Sequence, residues 1–280
     1  MSRRIRENIY RMIFAVLAYA SLIFLIGIAI TLFKEGMPVF SKSGVFDILS
    51  GKYWYPTYTP PEFGILPLML ASAWVTVGAL FICVPLGLGS ALYVYEFAPS
   101  AQKTFLKPVI ELLAGIPPIV YGFFGMVVVA PFLQKILGLP VGLCAFTGSL
   151  MLGIMATPTV FSIAEDALSY VPDSFKEASL ALGANRWQTL VKVIIPAARS
   201  GILTAVILGM SRAIGETMIV LMVTGGAAVI PVSFFQPVRP MTSTIAAEMG
   251  EAAIGSMHYH ALFAIGMILF LVTLFFYVVA

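Results

Sequence analysis

Long apolar stretches separated by short polar connections run through the 280 residues of this chain. The hydrocarbon core of a bilayer is about 30 Å thick, so a helix that crosses it needs about 20 apolar residues. Backbone groups in lipid must also find their hydrogen-bond partners within each helix. The pattern therefore predicts an all-α membrane protein, a single transmembrane domain over residues 1–280. Its six transmembrane helices are expected at residues 12–33, 66–95, 109–133, 141–164, 201–224 and 261–279.

Composition agrees with a membrane location. Hydrophobic residues make up 60% of the chain and charged residues 10%, whereas soluble domains average about 25% charged residues. A cleaved signal peptide is the alternative for the N-terminus, since arginines precede an apolar run that contains Ala18-Tyr19-Ala20. Cleavage there would divide the first apolar stretch, so we expect a retained helix. Cys83 and Cys144 lie in apolar stretches without metal-ligand spacing, which indicates packing residues.

The Lys and Arg residues between the apolar stretches are distributed unequally and predict the topology. Cytoplasmic connections of membrane proteins carry an excess of these residues. One set of connections carries Arg3, Arg4, Arg6, Arg11, Lys103, Lys107, Lys176, Arg186, Lys192 and Arg199, and the other carries Lys34, Lys42, Lys52, Lys135 and Arg239. The N-terminus and residues 172–196 are therefore predicted to be cytoplasmic. The long segments 34–65 and 225–260 are predicted to lie outside the cell membrane.

A polar amphipathic stretch between the fourth and fifth apolar stretches reads EASLALGANRWQTLVKVIIP over residues 177–196. It resembles the cytoplasmic coupling loop, or EAA motif, of ABC importer permeases, in which Glu-Ala-Ala, a Gly and a late Pro stand at fixed spacing. Ser179, Val193 and Ile195 are mild departures from that motif. The positions that the resemblance assigns to coupling with a separate ATPase are Glu177, Ala178, Ser179, Gly183 and Ala184.

An interfacial helix lying on the lipid headgroups, with Trp187 as its anchor, is the alternative for this stretch. The coupling interpretation is favoured because an acidic residue, small residues and a proline at fixed distances rarely coincide in a surface helix. Asp173 or Ser174 can cap the helix at its start. Gly183 allows either a close helix approach or a helix break. Glu177 can either bind the partner or cap its own helix.

The nucleotide-binding part of such a machine is absent from the sequence. The P-loop motif G-x-x-x-x-G-K-[ST] does not occur in it, so the ATP-binding subunit must be a separate polypeptide. We expect no cofactor and no metal in this chain, with ATP and Mg bound by the partner ATPase. Membrane lipid is the expected surrounding, and no nucleic-acid partner is expected.

The fifth apolar stretch carries two charges, at Arg212 and Glu216. On a continuous helix Arg212 would lie about 17 Å from Gly201, near mid-bilayer, where an Arg costs about 2.5 to 3.5 kcal/mol. Glu216 would follow one turn later and neutralise part of that charge. Two roles stay open, a structural ion pair or a pathway in which Arg212 presents its guanidinium to a tetrahedral oxyanion. We favour the pathway, with Ser211 and Thr217 as further contacts.

Three residues of the third apolar stretch are weaker pathway candidates. Glu111 lies within one turn of the cytoplasmic edge and can simply snorkel. Pro117 and Pro118 remove two backbone donors, which predicts a kink. The freed carbonyls can line a cavity or merely accompany the kink.

The outer segments are rich in turn formers and aromatic residues, which suits the aromatic belt of a membrane interface. They are either connectors and anchors or a docking surface for a soluble binding protein. His258 and His260 have no further ligands in a metal-binding pattern. We therefore expect an interfacial role for these two histidines.

Three further stretches are similar to phosphate-importer permeases of the PstC type. They read ELLAGIPPIVYGFFG from Glu111, SRAIGETM from Ser211 and TSTIAAEMGEA from Thr242. The resemblance implies a type I ABC importer permease bundle in a bacterial or archaeal cytoplasmic (inner) membrane, which moves inorganic phosphate inward by alternating access. It implies a transport subunit rather than an enzyme, with Arg212 and Glu216 at charged fifth-helix positions. The implied partners are a homologous second permease, an ATPase dimer and an extracytoplasmic phosphate-binding protein.

Other functions are less favoured. Within the same class, the alternative is a permease for another oxyanion, such as sulfate, molybdate or a phosphonate. An ion-coupled secondary transporter would use Arg212 and Glu216 as a relay, but the sequence has neither an inverted repeat nor an acidic cluster. An intramembrane enzyme would need a nucleophile-base or metal constellation, which the sequence lacks. One departure from the resemblance is that the sequence ends at Ala280 without a basic cytoplasmic tail.

Overall fold

Helices make up most of the structure, a computed structural model that describes residues 3–279. Met1, Ser2 and Ala280, with both predicted ends of the domain, lie outside the described residues. In chain order the helices are α1 (Arg3–Ser43), α2 (Val45–Ser50), α3 (Leu66–Leu92), α4 (Ser100–Ala114), α5 (Pro118–Phe124), α6 (Ala130–Leu137), α7 (Ala145–Ser169), α8 (Asp173–Ala181), α9 (Arg186–Thr189), α10 (Ile195–Ala197), α11 (Arg199–Ile214), α12 (Met218–Val223), α13 (Met241–Glu248) and α14 (Met257–Val279).

Two kinds of smaller element complete the fold. A short hairpin pairs β1 (Trp54–Tyr55) antiparallel with β2 (Glu62–Phe63), so that Trp54 lies opposite Phe63. The π-helical turns are Tyr93–Phe97 after α3, Gly125–Val129 between α5 and α6, and Leu190–Ile194 between α9 and α10.

The predicted membrane helices are largely present. Among residues 3–279, five segments are long and apolar enough to cross a membrane, and a sixth results if two bent helices count as one span. The five are Tyr10–Lys42, Leu66–Phe97, Pro118–Leu137, Ala145–Ser169 and Met257–Val279, and the bent pair is Arg186–Ala197 with Arg199–Ile214 at 72°. The all-α membrane fold with five to six crossing helices is confirmed.

The third predicted helix, residues 109–133, is wrong in its boundaries. Helix α4 ends at Ala114 and a new helix starts at Pro118, so the segment long and apolar enough to cross a membrane is Pro118–Leu137. Proline lacks a backbone N–H and suits the first turn of a helix, where that donor has no partner anyway. Pro117 and Pro118 therefore begin a helix instead of kinking one. Glu111 lies exposed on α4, before the crossing.

The segments predicted to lie outside contain more helix than the sequence indicates. In segment 34–65, α1 continues to Ser43 and α2 follows it, and segment 225–260 holds α13 and the start of α14. The first residues of α13 are buried, and this helix packs against α12 and α14. Part of segment 225–260 thus folds back into the bundle.

Helices α3 and α7 form the centre of the bundle, and α11 packs on both of them. Glycines allow the close approach of α3 and α7. A Cβ added at Gly87 would lie 2.7 Å from Val160 Cβ, and one added at Gly153 would lie 2.7 Å from Ile82 Cβ. Small residues at such contacts are what membrane helices need, because lipid offers no hydrophobic drive for helix association. The bundle that carries the candidate site is therefore held by close backbone packing.

A carboxylate holds together the end of the bundle that is predicted to face outward. The Trp54 indole N–H donates to the two Glu248 carboxylate oxygens at 3.0 and 3.2 Å. Arg239 Nη1 binds the same carboxylate, and His258 Nε2 lies 2.9 Å from it. Residues 3–279 contain no group of three or more His, Cys, Asp or Glu placed to hold a metal ion. His258 on α14 thus binds the Glu248 carboxylate of α13 through an ion pair or a hydrogen bond, beside Trp54 of the hairpin.

Candidate functional site

The coupling segment is residues 172–196, which include the stretch that resembles a coupling loop. Its first helix is α8, Asp173–Ala181, and three residues connect α7 to α8. Its N-cap residue is Pro172, and no side chain makes a capping hydrogen bond there. The prediction that Asp173 or Ser174 caps this helix is therefore wrong, because both residues already lie inside it. Pro172 has φ −59° and ψ 137°, so its backbone is extended and the helix begins at the next residue, Asp173.

Gly183 ends α8 through its backbone conformation. Its φ is +86°, a left-handed value that L-residues with a side chain rarely adopt. The Gly183 N–H donates to the Leu180 carbonyl at 3.0 Å, and the Ala184 N–H donates to the Ser179 carbonyl at 3.2 Å. These two bonds form a Schellman motif, which satisfies the last carbonyls of a helix. A Cβ at Gly183 would meet no atom within 4 Å, so the break, and not a close approach within this chain, explains the glycine.

A second short helix, α9, starts immediately after the break. Asn185 Oδ1 accepts a hydrogen bond from the Gln188 N–H at 2.8 Å, and Gln188 Oε1 accepts one from the Asn185 N–H at 3.0 Å. This reciprocal capping box fixes the entry of the chain into α9. The coupling segment is therefore two short helices at a defined turn.

Polar contacts hold α8 to its neighbour α9 and to the end of α3. The Ser179 and Thr189 hydroxyls lie 3.0 Å apart, and both residues are buried. Lys176 Nζ lies 2.6 Å from Glu96 Oε2 at the end of α3. The Ser179 departure from the EAA pattern thus has a structural reason, since an alanine there could not make the hydroxyl contact.

The outward face of α8 carries exposed residues. Glu177 and Ala178 are exposed, and the Leu182 side chain is 90% exposed. Glu177 makes no hydrogen bond or ion pair with the described residues 3–279, which removes the capping role left open by the sequence.

Arg212 lies near the end of α11, and its contact is with α7. Its Nη1 donates to Thr159 Oγ1 at 2.8 Å, and the Arg212 residue is half-buried. No ion pair joins it to Glu216 in the part of the chain that the structure describes. The expected pairing of Arg212 with Glu216 one turn later on a continuous helix is wrong. The reason is that α11 ends at Ile214 and α12 starts at Met218.

Glu216 instead occupies the break in the fifth span. Its Oε1 accepts hydrogen bonds from the backbone N–H groups of Thr217 at 3.0 Å, Met218 at 2.8 Å and Ile219 at 3.4 Å. A carboxylate at the first turn of a helix satisfies orphan N–H groups and interacts favourably with the helix dipole. Glu216 therefore stabilises the start of α12.

The other two predicted pathway residues lie on either side of this break. Ser211 is buried, and its hydroxyl has no hydrogen-bond partner among residues 3–279. Thr217 is half-buried at the N-cap of α12, without a side-chain capping bond. The structure thus brings Ser211, Arg212, Glu216 and Thr217 to one end of α11, with Glu111 elsewhere on α4.

Two hydroxyl residues at the break were missed by sequence reasoning. Thr242 Oγ1 donates to the Glu216 carbonyl at 2.8 Å. Ser72 Oγ accepts a hydrogen bond from the Met241 N–H at 2.9 Å. These bonds join the start of α13 to α3 and to the break. The run Thr242-Ser243-Thr244 belongs to one of the stretches similar to PstC-type permeases, and its hydroxyls in an apolar context were the available signal.

The proline-containing turn before α5 is tied to that helix by a tyrosine. The Tyr121 hydroxyl donates to the Leu113 carbonyl at 2.9 Å, and Tyr121 is buried. The Leu113 carbonyl also accepts the Ile116 N–H at 3.3 Å, so the tyrosine adds a second bond to a carbonyl in the last turn of α4. Pro117 and Pro118 thus shape the connection from α4 to α5.

The fold and these contacts define a class of protein. A bundle of long apolar helices, with a pair of short helices at one end and a broken, charged helix within it, is typical of a multi-pass membrane transport permease. The chain belongs to the family of binding-protein-dependent transport system inner membrane components, whose model matches residues 83–280. It is a permease subunit of an ABC importer in the cytoplasmic (inner) membrane, and ATP hydrolysis in this family belongs to separate subunits.

Curated relatives cover nearly the whole chain. It is 39% identical over 279 residues to the probable ABC transporter permease protein YqgH of Bacillus subtilis (strain 168), covering 98% of this chain and 90% of the relative. It is 35% identical over 271 residues to the phosphate transport system permease protein PstC of Mesorhizobium japonicum, covering 90% and 82%. The chain is therefore of the PstC type.

A solved structure shares the fold. It is a bacterial alginate ABC transporter in complex with an alginate pentasaccharide-bound periplasmic protein, with a TM-score of 0.66 and 14% sequence identity. The match covers 99% of this chain and 95% of the solved chain. The architecture is the type I ABC importer permease bundle.

Proposed function

We propose that this chain is one of two homologous permease subunits that move inorganic phosphate into the cytoplasm by alternating access. An extracytoplasmic phosphate-binding protein delivers the ion, and an ATPase dimer, which binds ATP and Mg, supplies the energy. The identity to the Mesorhizobium japonicum phosphate permease over 90% of this chain supports phosphate as the cargo.

The half-buried Arg212 is the observation that carries the proposal. A guanidinium within an apolar bundle is costly unless it faces protein or a polar cavity. Thr159 accepts one of its N–H donors, and a guanidinium has five. The remaining fork can bind two oxygens of a tetrahedral oxyanion in parallel. Ser211 and Thr217 are the proposed neutral contacts, and Ser211 carries a buried hydroxyl without a partner among residues 3–279.

Neutral contacts matter because the ion must leave again. A site with one cation and several hydroxyl groups offsets the cost of desolvating phosphate, and a second cation would hold it more strongly. Glu216, anchored at the start of α12, places a negative charge close to Arg212 in sequence. In the proposed cycle it limits the net positive charge of the pathway, although it makes no ion pair with Arg212.

The coupling segment supplies the mechanical step. ATP binding closes the ATPase dimer around the coupling segment, at Glu177 and Ala178 on α8 and at Gly183 and Ala184 in the turn that follows it. Helix α8 is joined to α7 by three residues and to α11 through α9 and α10. A displacement of α8 therefore reaches both helices that hold the Arg212–Thr159 contact. The cavity opens outward to accept phosphate, and hydrolysis returns it to the inward-open state.

The test is uptake of radiolabelled inorganic phosphate into proteoliposomes that contain the purified complex, its binding protein and internal ATP. We expect ATP-dependent accumulation that excess sulfate, molybdate or methylphosphonate does not reduce. Accumulation of one of those oxyanions in place of phosphate would refute the cargo. Uptake driven by an ion gradient without ATP would refute the mechanism.

A further inference from the structure

We infer that Lys176 and Glu96 form a positioning pair through which the coupling segment moves the second membrane span, α3, directly. The inference rests on the proposed function, because it assumes that an ATPase displaces α8. The covalent chain already transmits a movement of α8 in two ways, through α7 and through α11. The ion pair adds a third connection, which leads to α3. The residues concerned lie outside the EAA positions.

Lys176 and Glu96 form a short ion pair that is buried on the Glu96 side. Lys176 Nζ lies 2.6 Å from Glu96 Oε2, and the Glu96 side chain is 2% exposed. The Lys176 ammonium also lies 5.6 Å from the centroid of the Tyr95 ring. The lysine thus reaches from α8 across an aromatic face to a carboxylate in the bundle, where water has little access to the Glu96 charge.

Burial distinguishes this contact from an ordinary surface ion pair. Exposed pairs contribute little because solvent screens them, whereas removal of one partner from a buried pair leaves an uncompensated charge. The Glu96 carboxylate cannot reach water without moving the helix end that carries it. A displacement of α8 that keeps the ion pair must therefore move Glu96 with it.

The backbone around Glu96 is suited to such a movement. Residues Tyr93–Phe97 form a π-helical turn at the end of α3, and single π turns interrupt regular helices, frequently at functional sites. Next to it, the Phe97 ring lies 6.4 Å from the Trp187 ring of α9. The end of α3 is thus in contact with both helices of the coupling segment.

A second ion pair provides the matched control. Lys107 Nζ on α4 lies 2.6 Å from Glu165 Oε2 on α7, and the hydrogen bond to Glu165 raises the pKa of Lys107. The two pairs have the same residue types and the same length. The Lys107 pair does not involve the coupling segment, so the inference predicts different effects when each pair is neutralised.

The experiment follows the response of α3 and α11 to ATP in the assembled complex. Spin labels are attached at Leu86→Cys on α3 and Leu203→Cys on α11, whose side chains are 54% and 59% exposed. The background carries Cys83→Ala and Cys144→Ala, which removes the two buried native thiols. Spectra are compared before and after the ATPase is trapped with ATP and vanadate. The proteins compared are the parent, Lys176→Met/Glu96→Gln, Lys107→Met/Glu165→Gln and Lys176→Arg.

In the parent we expect both labels to respond. Lys176→Met/Glu96→Gln should lose the Leu86 response while keeping the Leu203 response, and phosphate transported per ATP should fall about tenfold, within the range of typical coupling energies. Lys176→Arg and the control pair variant should keep both responses. The neutral double variant is chosen because it leaves no buried unpaired charge, so the complex still assembles.

Three results would overturn the inference. A Leu86 response that persists in Lys176→Met/Glu96→Gln would mean that α7 or α11 moves α3 without the ion pair. Equal loss of the Leu86 response in the control pair variant would mean a general packing effect. A parent complex in which neither label responds to ATP would contradict the proposed function, and the pair would lose its role with it. Failure of phosphate as the cargo leaves the label responses unchanged, so the two failures can be told apart.

Discussion

Gly183 adopts a backbone conformation, φ +86°, that sets the turn between the two helices of the coupling segment. Other L-residues pay about 1 to 2 kcal/mol to adopt it, with Asn the most tolerant. The space around the residue is open. Substitution at this position therefore isolates the effect of backbone strain from that of steric contact within the chain.

Gly183→Val and Gly183→Asn form a matched pair of variants. Gly183→Val should lower phosphate uptake per ATP hydrolysed at least about fivefold, because a β-branched residue resists a left-handed φ. Gly183→Asn should stay within about twofold of the parent, because Asn adopts this conformation. The measurement is uptake together with ATP hydrolysis in proteoliposomes. Equal uncoupling by both variants would assign the glycine to close contact with the ATPase instead.

Arg212→Gln tests the pathway at the level of one side chain. Uptake should fall about 10- to 100-fold, since each hydrogen bond to a charged group contributes about 1.5 to 3 kcal/mol. Arg212→Lys should recover part of it, because an ammonium keeps the charge but not the planar fork. Assembly is followed by size-exclusion chromatography. A complex that falls apart in Arg212→Gln would indicate a structural role for the Arg212–Thr159 contact.

The two charged residues of the fifth span could be selected from sequence as candidates, but the contacts that they make could not. Arg212 and Glu216 were recognisable because ionisable residues are rare in apolar helices. Their ion pair was inferred from a continuous helix, and that assumption failed at residues 215–217. The Glu216 carboxylate instead accepts hydrogen bonds from three backbone N–H groups at the start of α12. A helix break in an apolar sequence depends on tertiary contacts such as Thr242 with the Glu216 carbonyl, which no local pattern encodes.

At the scale of elements, α8 and α9 form one unit because the Ser179 and Thr189 hydroxyls meet in a buried position. Thr189→Val should loosen this unit by about 1 to 3 kcal/mol, because it leaves the Ser179 hydroxyl buried without a partner. The double variant Ser179→Ala/Thr189→Val should recover most of the loss, since neither hydroxyl then remains. Hydrogen exchange of the α8 and α9 amides is the measurement. Exchange in the double variant as fast as in the single one would show that the hydroxyl pair does not join the helices.

Element identity was easier to predict than element boundaries. Apolar length sufficed to predict α1, α3, α7 and α14, since lipid forces long uninterrupted helices. It failed in the third span, where α4 is amphipathic and exposed yet continuous in sequence with the apolar α5. The proline pair was read as a kink and is a helix start. Helix α13 was missed because its buried hydroxyl residues resemble a polar loop.

At the scale of the whole molecule, the unequal distribution of Lys and Arg predicts the orientation. Trp187 in the coupling segment is 61% exposed and Tyr58 in the outer hairpin is 63% exposed, which makes them a matched pair. In a Cys83→Ala/Cys144→Ala background, Tyr58→Cys should react with a membrane-impermeant thiol reagent in intact cells. Trp187→Cys should react with the same reagent only after the cells have been permeabilised. The reverse pattern would place α8 outside and remove its access to an ATPase.

The central claim is that a separate ATPase drives this permease through the coupling segment. The most direct measurement is purification of the native complex through a tag on this chain, with identification of its subunits and assay of ATP hydrolysis in the eluate. We predict a second permease subunit and an ATPase that co-purify and hydrolyse ATP. An intact membrane bundle that elutes with its second permease but without any ATPase subunit or ATP hydrolysis would contradict the account.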